Sequence, residues 1–296
     1  MDMKLPKWAA DAVQEAMTSQ RREARYNFQE FIQQEVERDV QPAVENTREY
    51  RPELSDEELR LNVLFGWISD GMWGWCVRGV ARRFYIGDVE EFALFLQMQV
   101  RQAALNHLAN YDEYIDIWQL LPALAIRDDA TVKLFMEVAT YPLTSGHVDT
   151  RDIYNGVHAI LRDDAKGMDA IARKKLSKSS PTWLTGIIRC LQGIVSEDAR
   201  LVASGIDEHL VGYRRSYRGD PLEKVVSLHA HGLYRLAQTA NSKLVADIDV
   251  ARQLPWDAQL HEVASGRWET LRVDHFGECP RELAETFVTL KRPRWV

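Results

Sequence analysis

The sequence predicts an all-α fold: a multi-helix bundle or a short α–α solenoid of antiparallel helix pairs. Glycine (16) and proline (10) together make up about 9% of the 296 residues, below the average of roughly 12%, so long helices meet few breaks. Apolar residues recur at three- and four-residue spacing along most of the chain, which is the period of an amphipathic helix. No strongly alternating run predicts a strand, and a short extended piece is expected only near 246–250.

Two helices are predicted in the first third of the chain. An apolar stripe over 28–43 predicts a helix that ends near Pro42, because proline has no amide hydrogen to donate to the preceding turn. Ser55 and Glu58 then form a capping box, in which each side chain satisfies a backbone amide of the other. A second helix is therefore expected over about 56–86.

This second helix is rich in tryptophan and glycine, and its segment 61–81 is apolar enough to be considered as a membrane span. Asp70 and Arg78 would each be costly inside a bilayer, so we interpret the segment as a buried helix. Its three indoles either fill the core or line a ligand pocket: Trp67, Trp73 and Trp75.

The rest of the chain predicts further helices that begin at acidic residues. They are expected over 88–107, 115–124, 131–140, 150–161, 182–195, 202–217 and 222–236. The last follows a restart signal, with Asp220 as cap and Pro221 at the first helical position.

Acidic starts at Asp88, Asp128, Asp163 and Asp198 are 40, 35 and 35 residues apart. This is the size of a helix-pair repeat, although helices of similar length alone would give similar spacing. We expect N-terminal helices over 1–86 to pack against a helix-pair region over 87–296 as one continuous unit.

No motif for enzymatic chemistry, a cofactor or a metal is present. Glycine-rich phosphate loops and a nucleophile elbow are missing. His261 begins a segment like the zinc protease motif, but Ser265 occupies the position of the required second histidine. His229 and His231 are two residues apart and point to different sides of a helix, so His229 is expected in the core. His209 follows two acidic residues and is expected on a solvated helix edge.

Charge and cysteine content exclude several classes of protein. The net charge of −7 disfavours a general nucleic-acid binder, although basic stretches occur at 173–178 and 213–218. Three widely spaced cysteines do not form a disulfide framework or zinc ribbon. Residues 1–16 contain charges and no apolar core, so they do not read as a signal peptide, and a cytoplasmic protein is expected.

Five features follow one another over roughly 85–265. They are a helix opened by Gly87-Asp88, a helix that ends in Tyr213–Tyr217, a restart at Gly219–Pro221, an apolar helix over Val225–Ala240, and Ile248–Val250 before Leu254-Pro255. Their order resembles the immunity protein 49 family of bacterial polymorphic toxin systems. The resemblance covers about 60% of the chain and leaves out the tryptophan-rich segment. It implies a cytoplasmic, non-enzymatic α-helical protein that binds and neutralises a cognate toxin, and it supplies no catalytic residue.

The uneven distribution of charge suggests where such a partner would bind. Residues 1–150 contain 25 acidic and 15 basic side chains, whereas 151–296 contain 19 and 22. A surface of one sign speeds encounter with a partner of opposite charge, and many toxins that act on nucleic acid are basic. The candidate contacts are two acidic clusters: Asp88, Glu90 and Glu91, and Asp112, Glu113 and Asp116. The second cluster is alternatively a solvated helix face, or a cation or acid–base site.

Two other functions stay open. One is a helical-repeat interaction scaffold without a toxin partner. The other is an all-α enzyme whose pocket lies near Trp67 and Trp73, with Asp70 or His107 as the base. Nucleic acid, membrane and metal are not expected as partners, and the sequence does not predict the oligomeric state.

Overall fold

The computed structural model describes residues 5–19, 28–69, 73–85, 87–110, 113–216, 222–246, 248, 255–263, 270–277 and 280–291. These residues form fourteen α-helices and two short 3₁₀ turns, with no strand or sheet among them, so the all-α prediction is confirmed. The helices are α1 (Lys7–Ser19), α2 (Phe28–Tyr50), α3 (Asp56–Ser69), α4 (Trp73–Tyr85), α5 (Val89–Asn110), α6 (Glu113–Ala125), α7 (Asp129–Val138), α8 (Val148–Leu161), α9 (Ala165–Ala172), α10 (Thr182–Val195), α11 (Ala199–Ser216), α12 (Leu228–Ala240), α13 (Ala258–Val263) and α14 (Arg281–Thr289).

One hydrophobic core runs through the described part of the chain. Its buried apolar side chains form a contiguous cluster from Ala9 in α1 to Leu290 after α14. The central element is α5, in which every residue from 91 to 105 is buried. None of the described helices is both long and apolar enough to span a membrane.

Three helix pairs are joined by the same turn. Asp128, Asp164 and Asp198 cap α7, α9 and α11, and each side chain accepts a hydrogen bond from an amide two or three residues later. Each of these aspartates donates its own amide to the carbonyl five residues earlier, at 2.9–3.1 Å. The residue before each aspartate has a positive φ of 53–56°, which closes the preceding helix.

The acidic helix starts predicted at Asp128 and Asp198 are thus confirmed as caps. The equivalent residue in the α8–α9 turn is Asp164 and not Asp163, which instead takes the left-handed position. Asp88 caps α5 similarly, because its carboxylate accepts from the Glu91 amide at 2.8 Å, and Gly87 before it has a φ of +91°.

Helices α10 and α11 pack in very close contact through glycines spaced seven residues apart. A Cβ atom at Gly186 would lie 2.7 Å from His209 Cα, and one at Gly205 would lie 2.7 Å from Cys190 Cα. Only glycine allows two helix backbones to approach this closely. The crossing therefore fixes how α11 carries its histidine and tyrosine side chains into the interior.

Three expected helix boundaries are wrong. Helix α2 continues through Pro42 to Tyr50, because Pro42 is exposed where water can hydrate the carbonyl it leaves without a donor, while Val40 and Val44 remain buried. The segment 56–86 forms two helices, α3 and α4, with residues 70–72 outside the described residues.

The Ser55–Glu58 capping box is present, with Ser55 N donating to Glu58 Oε2 at 2.8 Å and Glu58 N donating to Ser55 Oγ at 3.3 Å.

The third boundary is the start of α12. Residues 222–225 form a turn, and α12 begins only at Leu228, where Ser227 Oγ accepts from the Ala230 amide. Three apolar residues before α12 are buried without being helical: Leu222, Val225 and Val226. Their spacing, which predicted a helix from 222, is therefore a sign of burial in the core and not of helical structure. Asp220 and Pro221 lie outside the described residues.

Near 246–250, Ala246 lies in a turn and Ile248 has no regular structure, so the described residues there do not form the expected extended piece.

Candidate functional site

The turn between α4 and α5 presents the first predicted acidic cluster. Asp88 and Glu90 are exposed, and both lie at the N-terminal end of α5, where negative charge is favoured by the helix dipole. Tyr85, the last residue of α4, is 56% exposed. We call Tyr85, Asp88 and Glu90 the acidic turn. Sequence reasoning missed Tyr85, although an aromatic residue directly before a Gly-Asp helix start was a visible signal.

Glu91 does not belong to this surface, contrary to the expectation from the sequence. Its carboxylate is buried and forms a two-point ion pair with Arg82 on α4, with both N···O distances 2.6 Å. Burial raises the pKa of Glu91, while Arg82 acts in the opposite direction. Glu90 and Glu91 are the second and third residues of α5, and because neighbouring positions on a helix face different sides, the side chain of Glu91 points inward while that of Glu90 points out. Glu91 therefore fastens α5 to α4 beneath the acidic turn.

The second acidic cluster lies at the other end of α5. Asp112 is outside the described residues, and Glu113 and Asp116 belong to α6, where their side chains are not described. Helix α5 has 22 residues, so its ends are about 30 Å apart at 1.5 Å per residue. The fold therefore does not bring the two acidic clusters together.

The residues of the enzyme alternative are only partly described. Trp75 is buried, and its Nε1 donates to Gln102 Oε1 on α5 while its ring lies 6.0 Å from that of Phe95. His107 is also buried, edge-on to Phe135 at 6.3 Å. Asp70 lies outside the described residues, as do the side chains of Trp67 and Trp73. Trp75 and His107 thus take part in packing between helices.

Five aromatic and histidine side chains meet where α6, α10, α11 and α12 converge. Between ring centroids, His229 lies 5.5 Å from Trp118, 6.2 Å from His209 and 6.3 Å from Tyr213. The ring of Trp183 lies within 6.4 Å of each of these four rings. We call this the histidine–aromatic cluster. The sequence predicted His229 in the core, which the structure confirms, but it did not predict that these five side chains meet.

His209 is the clearest error among the histidines. It is fully buried and not on a solvated edge, with Nδ1 2.8 Å from the Trp183 carbonyl and Nε2 2.7 Å from Ser227 Oγ. Its spacing from Ile206 and Tyr213 fits the buried face of α11, but the neighbouring acidic residues suggested exposure. Burial lowers the pKa of His209 to about 4, so the ring is neutral at pH 7.

His229 is held in an unusual environment. Burial lowers its pKa to about 3, and the nearby His209 adds to this shift. The Trp118 backbone acts against the shift, and Pro122 in α6 has no amide hydrogen to give to the Trp118 carbonyl. A hydrogen bond with the Trp118 backbone therefore gives the buried His229 ring a partner.

A small cleft opens beside the histidine–aromatic cluster. It measures about 30 Å³, enough for about two water molecules. Its walls come from α4, α5, α6, α11, α12 and the turn before α12: Cys76, Gln99, Trp118, Gln119, Pro122, Tyr213, Glu223, Val226, Leu228 and His229. Two glutamines cross-link three helices along one wall, since Gln119 Oε1 accepts from Gln99 Nε2 at 2.9 Å and Gln99 Oε1 accepts from the Cys76 amide at 3.1 Å.

A second histidine group is structural. His231 stacks on Trp256 at 3.9 Å, and its Nε2 accepts from the Asp257 amide at 3.3 Å. Asp257 is fully buried and pairs with Arg83 at 3.0 Å, which ties α13 to α4. Burial lowers the pKa of His261 to about 4. Within the part of the chain that the structure describes, no group of three or more His, Cys, Asp or Glu side chains is arranged to hold a metal ion.

Comparison with known proteins gave no significant match. No protein-family model, curated protein or solved structure matches the chain.

Proposed function

We propose that this chain is an immunity protein, which binds a basic antibacterial toxin in the cytoplasm and neutralises it by direct contact. The observation that carries the proposal is the acidic turn, in which an exposed tyrosine stands beside two exposed carboxylates. The order of sequence features that resembles the immunity protein 49 family supports the same function.

The composition of the acidic turn suits a protein interface. Tyrosine is among the residues that contribute most to binding energy, because it buries a large area at low entropic cost. Carboxylates at the rim attract a basic partner and raise the association rate. Asp88 and Glu90 form no ion pair with another described residue, whereas Glu91 is neutralised by Arg82, so the two exposed carboxylates set the local potential.

Two side-chain contacts hold the described residues of the acidic turn in place, which lowers the cost of binding. The Asp88 carboxylate is fixed by the Glu91 amide, and the Arg82–Glu91 ion pair holds α4 and α5 together directly below. A pre-ordered surface loses little conformational entropy when a partner binds. This is the property that an inhibitor needs if it is to capture a toxin quickly and hold it.

The test of this function is co-expression with the neighbouring reading frames. Each adjacent frame is induced in a heterologous host with and without this chain, and growth is recorded. We expect one frame to arrest growth and this chain alone to relieve the arrest while co-purifying with the product. If no adjacent frame is toxic, or if the arrest persists in the presence of the folded chain, the proposal is wrong.

A helical scaffold without a toxin is the second candidate. The three matching turns at Asp128, Asp164 and Asp198 favour it, because repeated helix pairs build extended binding surfaces in solenoid proteins. In the same experiment this candidate predicts that a neighbouring product binds the chain but does not slow growth.

A further inference from the structure

One buried arginine differs from the others in the described part of the chain. Four arginine residues are buried there, and three of them form an ion pair with a buried carboxylate: Arg82 with Glu91, Arg83 with Asp257 and Arg101 with Asp128. The fourth, Arg235 in α12, is 7% exposed and forms no ion pair within the described ranges. A buried charge without a counter-charge is costly, and Arg235 lacks the anion that the other three have.

The hydrogen-bond partners of Arg235 are neutral. Its Nη1 donates to Gln238 Oε1 at 2.7 Å, and its Nη2 donates to the His261 carbonyl at 3.0 Å. The Nε hydrogen is buried and meets no acceptor among the residues that the structure describes. Of the five N–H donors of a guanidinium, these two bonds use two and leave three for a ligand.

A second cation lies near Arg235. Arg127 is exposed in the turn between α6 and α7 and pairs with no described carboxylate. Helices α6 and α12 pack so closely that a Cβ atom at Gly232 would lie 2.9 Å from Leu121 Cα, and Arg235 follows Gly232 by one helical turn. Burial lowers the pKa of Arg235, and the positive charge of Arg127 lowers it further. The two guanidinium groups are therefore close enough to repel each other.

We propose that Arg235 and Arg127 together bind a phosphate group where the end of α6 meets α12. Guanidinium groups bind phosphate through paired N–H donors, and two of them match the charge of a phosphate dianion, whereas a carboxylate carries a single charge. Because Arg235 is 7% exposed, it is within reach of a single phosphate group. The bound phosphate gives Arg235 its counter-charge and joins the α6–α7 turn to α12. This binding does not require a toxin.

Calorimetric titration of the full folded chain with sodium phosphate tests the site. The buffer contains no other phosphate, and sodium chloride keeps the ionic strength constant, because salt alone screens charges. We expect saturable binding of phosphate, binding of acetate that is at least about tenfold weaker, and a thermal midpoint that rises with phosphate concentration. Glycerol 3-phosphate is titrated in parallel. Tighter binding of this ester than of inorganic phosphate assigns the site to phosphate esters, and weaker binding assigns it to the free ion.

Two exposed arginines beside equivalent helix-pair turns provide the matched variants. Arg127→Gln and Arg200→Gln remove the same charge, but only the first should weaken phosphate binding, by about tenfold. Arg235→Met should abolish both the binding and the rise in thermal midpoint. If Arg235→Met does not fold, the comparison of the two exposed positions still decides. Absence of saturable phosphate binding in the parent, or equal phosphate affinities of Arg127→Gln and Arg200→Gln, would overturn the proposal.

Discussion

Arg101 and Asp128 form a two-point ion pair in the interior of the molecule. Arg101 Nε lies 2.6 Å from Asp128 Oδ2, and Arg101 Nη2 lies 3.0 Å from Asp128 Oδ1. The two side chains are 7% and 2% exposed. Arg101 Nη1 also donates to the Val288 carbonyl in α14, so one guanidinium joins α5, the α6–α7 turn and α14. Asp128 meanwhile caps α7 through Thr131.

Asp128→Asn is therefore expected to be strongly destabilising. The amide keeps the cap but leaves the Arg101 charge buried without its counter-charge, which costs about 3–5 kcal/mol. Urea denaturation followed by circular dichroism measures the loss in the free energy of unfolding.

The matched control is Asp198→Asn. Asp198 caps α11 in the equivalent turn but is exposed and forms no ion pair with the part of the chain that the structure describes. Because asparagine is as good a cap as aspartate, we expect a change below about 0.5 kcal/mol. A loss for Asp128→Asn no larger than that for Asp198→Asn would show that the Arg101 pair contributes little to stability.

The close approach of α10 and α11 makes a second prediction. In Gly205→Ala the new methyl group would lie 2.7 Å from Cys190 Cα and 2.9 Å from Cys190 Cβ, so the helices must separate. We expect a loss of about 2–3 kcal/mol, as for other overpacked cores, visible as a lower thermal midpoint.

Gly66→Ala in α3 is the control for this change. A Cβ at Gly66 meets no atom within 4 Å, and alanine is the better helix former by roughly 1 kcal/mol. This variant should be as stable as the parent or more so. If Gly205→Ala behaved in the same way, the α10–α11 contact would be looser than the structure shows.

The left-handed residues of the helix-pair turns give a third prediction. Glu197 is exposed and has a φ of +54°, a conformation that costs a side chain about 1 kcal/mol and glycine almost nothing. Glu197→Gly should therefore be more stable than Glu197→Ala by roughly 0.5–1 kcal/mol in urea denaturation. An alanine variant as stable as the glycine variant would mean that the strain is absent.

Local signals in the sequence were sufficient for the fold class and for the helix caps. Ser55, Asp128 and Asp198 act on amides only two or three residues away, so their roles follow from neighbouring residues. Asp163 was taken as the start of the repeat in place of Asp164 because the two acidic residues are adjacent, and Asp163 instead has the left-handed conformation. Its role depends on a hydrogen bond from the Asp164 amide to the Ala159 carbonyl, which sequence spacing does not reveal.

Features that depend on distant partners were not predictable. Glu91 is buried because Arg82 on another helix neutralises it. His209 is buried because its Nδ1 donates to the Trp183 carbonyl and its Nε2 accepts from the Ser227 hydroxyl. Both have acidic neighbours that suggested exposure. The cleft needs residues from α4, α5, α6 and α12, which only the tertiary fold brings together.

The buried histidines predict how stability depends on pH. The pKa of His209 and of His261 is lowered to about 4, and that of His229 to about 3, whereas in the unfolded chain it is about 6.5. Below pH 6.5 the unfolded chain binds protons that the folded chain does not. The contribution of these histidines to the free energy of unfolding is therefore fully present above about pH 6.5. It falls as the pH is lowered toward 4, by roughly 2–3 kcal/mol for His209 alone.

His209→Gln tests this dependence without removing the hydrogen-bonding capacity at the site. The free energy of unfolding is measured by urea denaturation from pH 7 to 4.5. As the pH is lowered, it should fall less steeply for this variant than for the parent, by about 1 kcal/mol per pH unit. The exposed His147 provides the control, since His147→Gln should leave the slope unchanged. Carboxylates titrate in all three proteins and cancel in the comparison. Parallel slopes for His209→Gln and the parent would mean that His209 is protonated in the folded state.

The most direct test of the proposed function is the association rate with the toxin found by co-expression. Glu90→Lys reverses the charge at the second residue of α5, and Glu282→Lys makes the same change at the second residue of α14. Both positions are exposed and lie in a first helical turn, so the two variants lose the same interaction with the helix dipole. In stopped-flow fluorescence at low salt, Glu90→Lys should associate roughly fivefold to tenfold more slowly than the parent, an effect that added salt removes. Glu282→Lys should associate at the parental rate, whereas equal rates for the parent and both variants would contradict binding through the acidic turn.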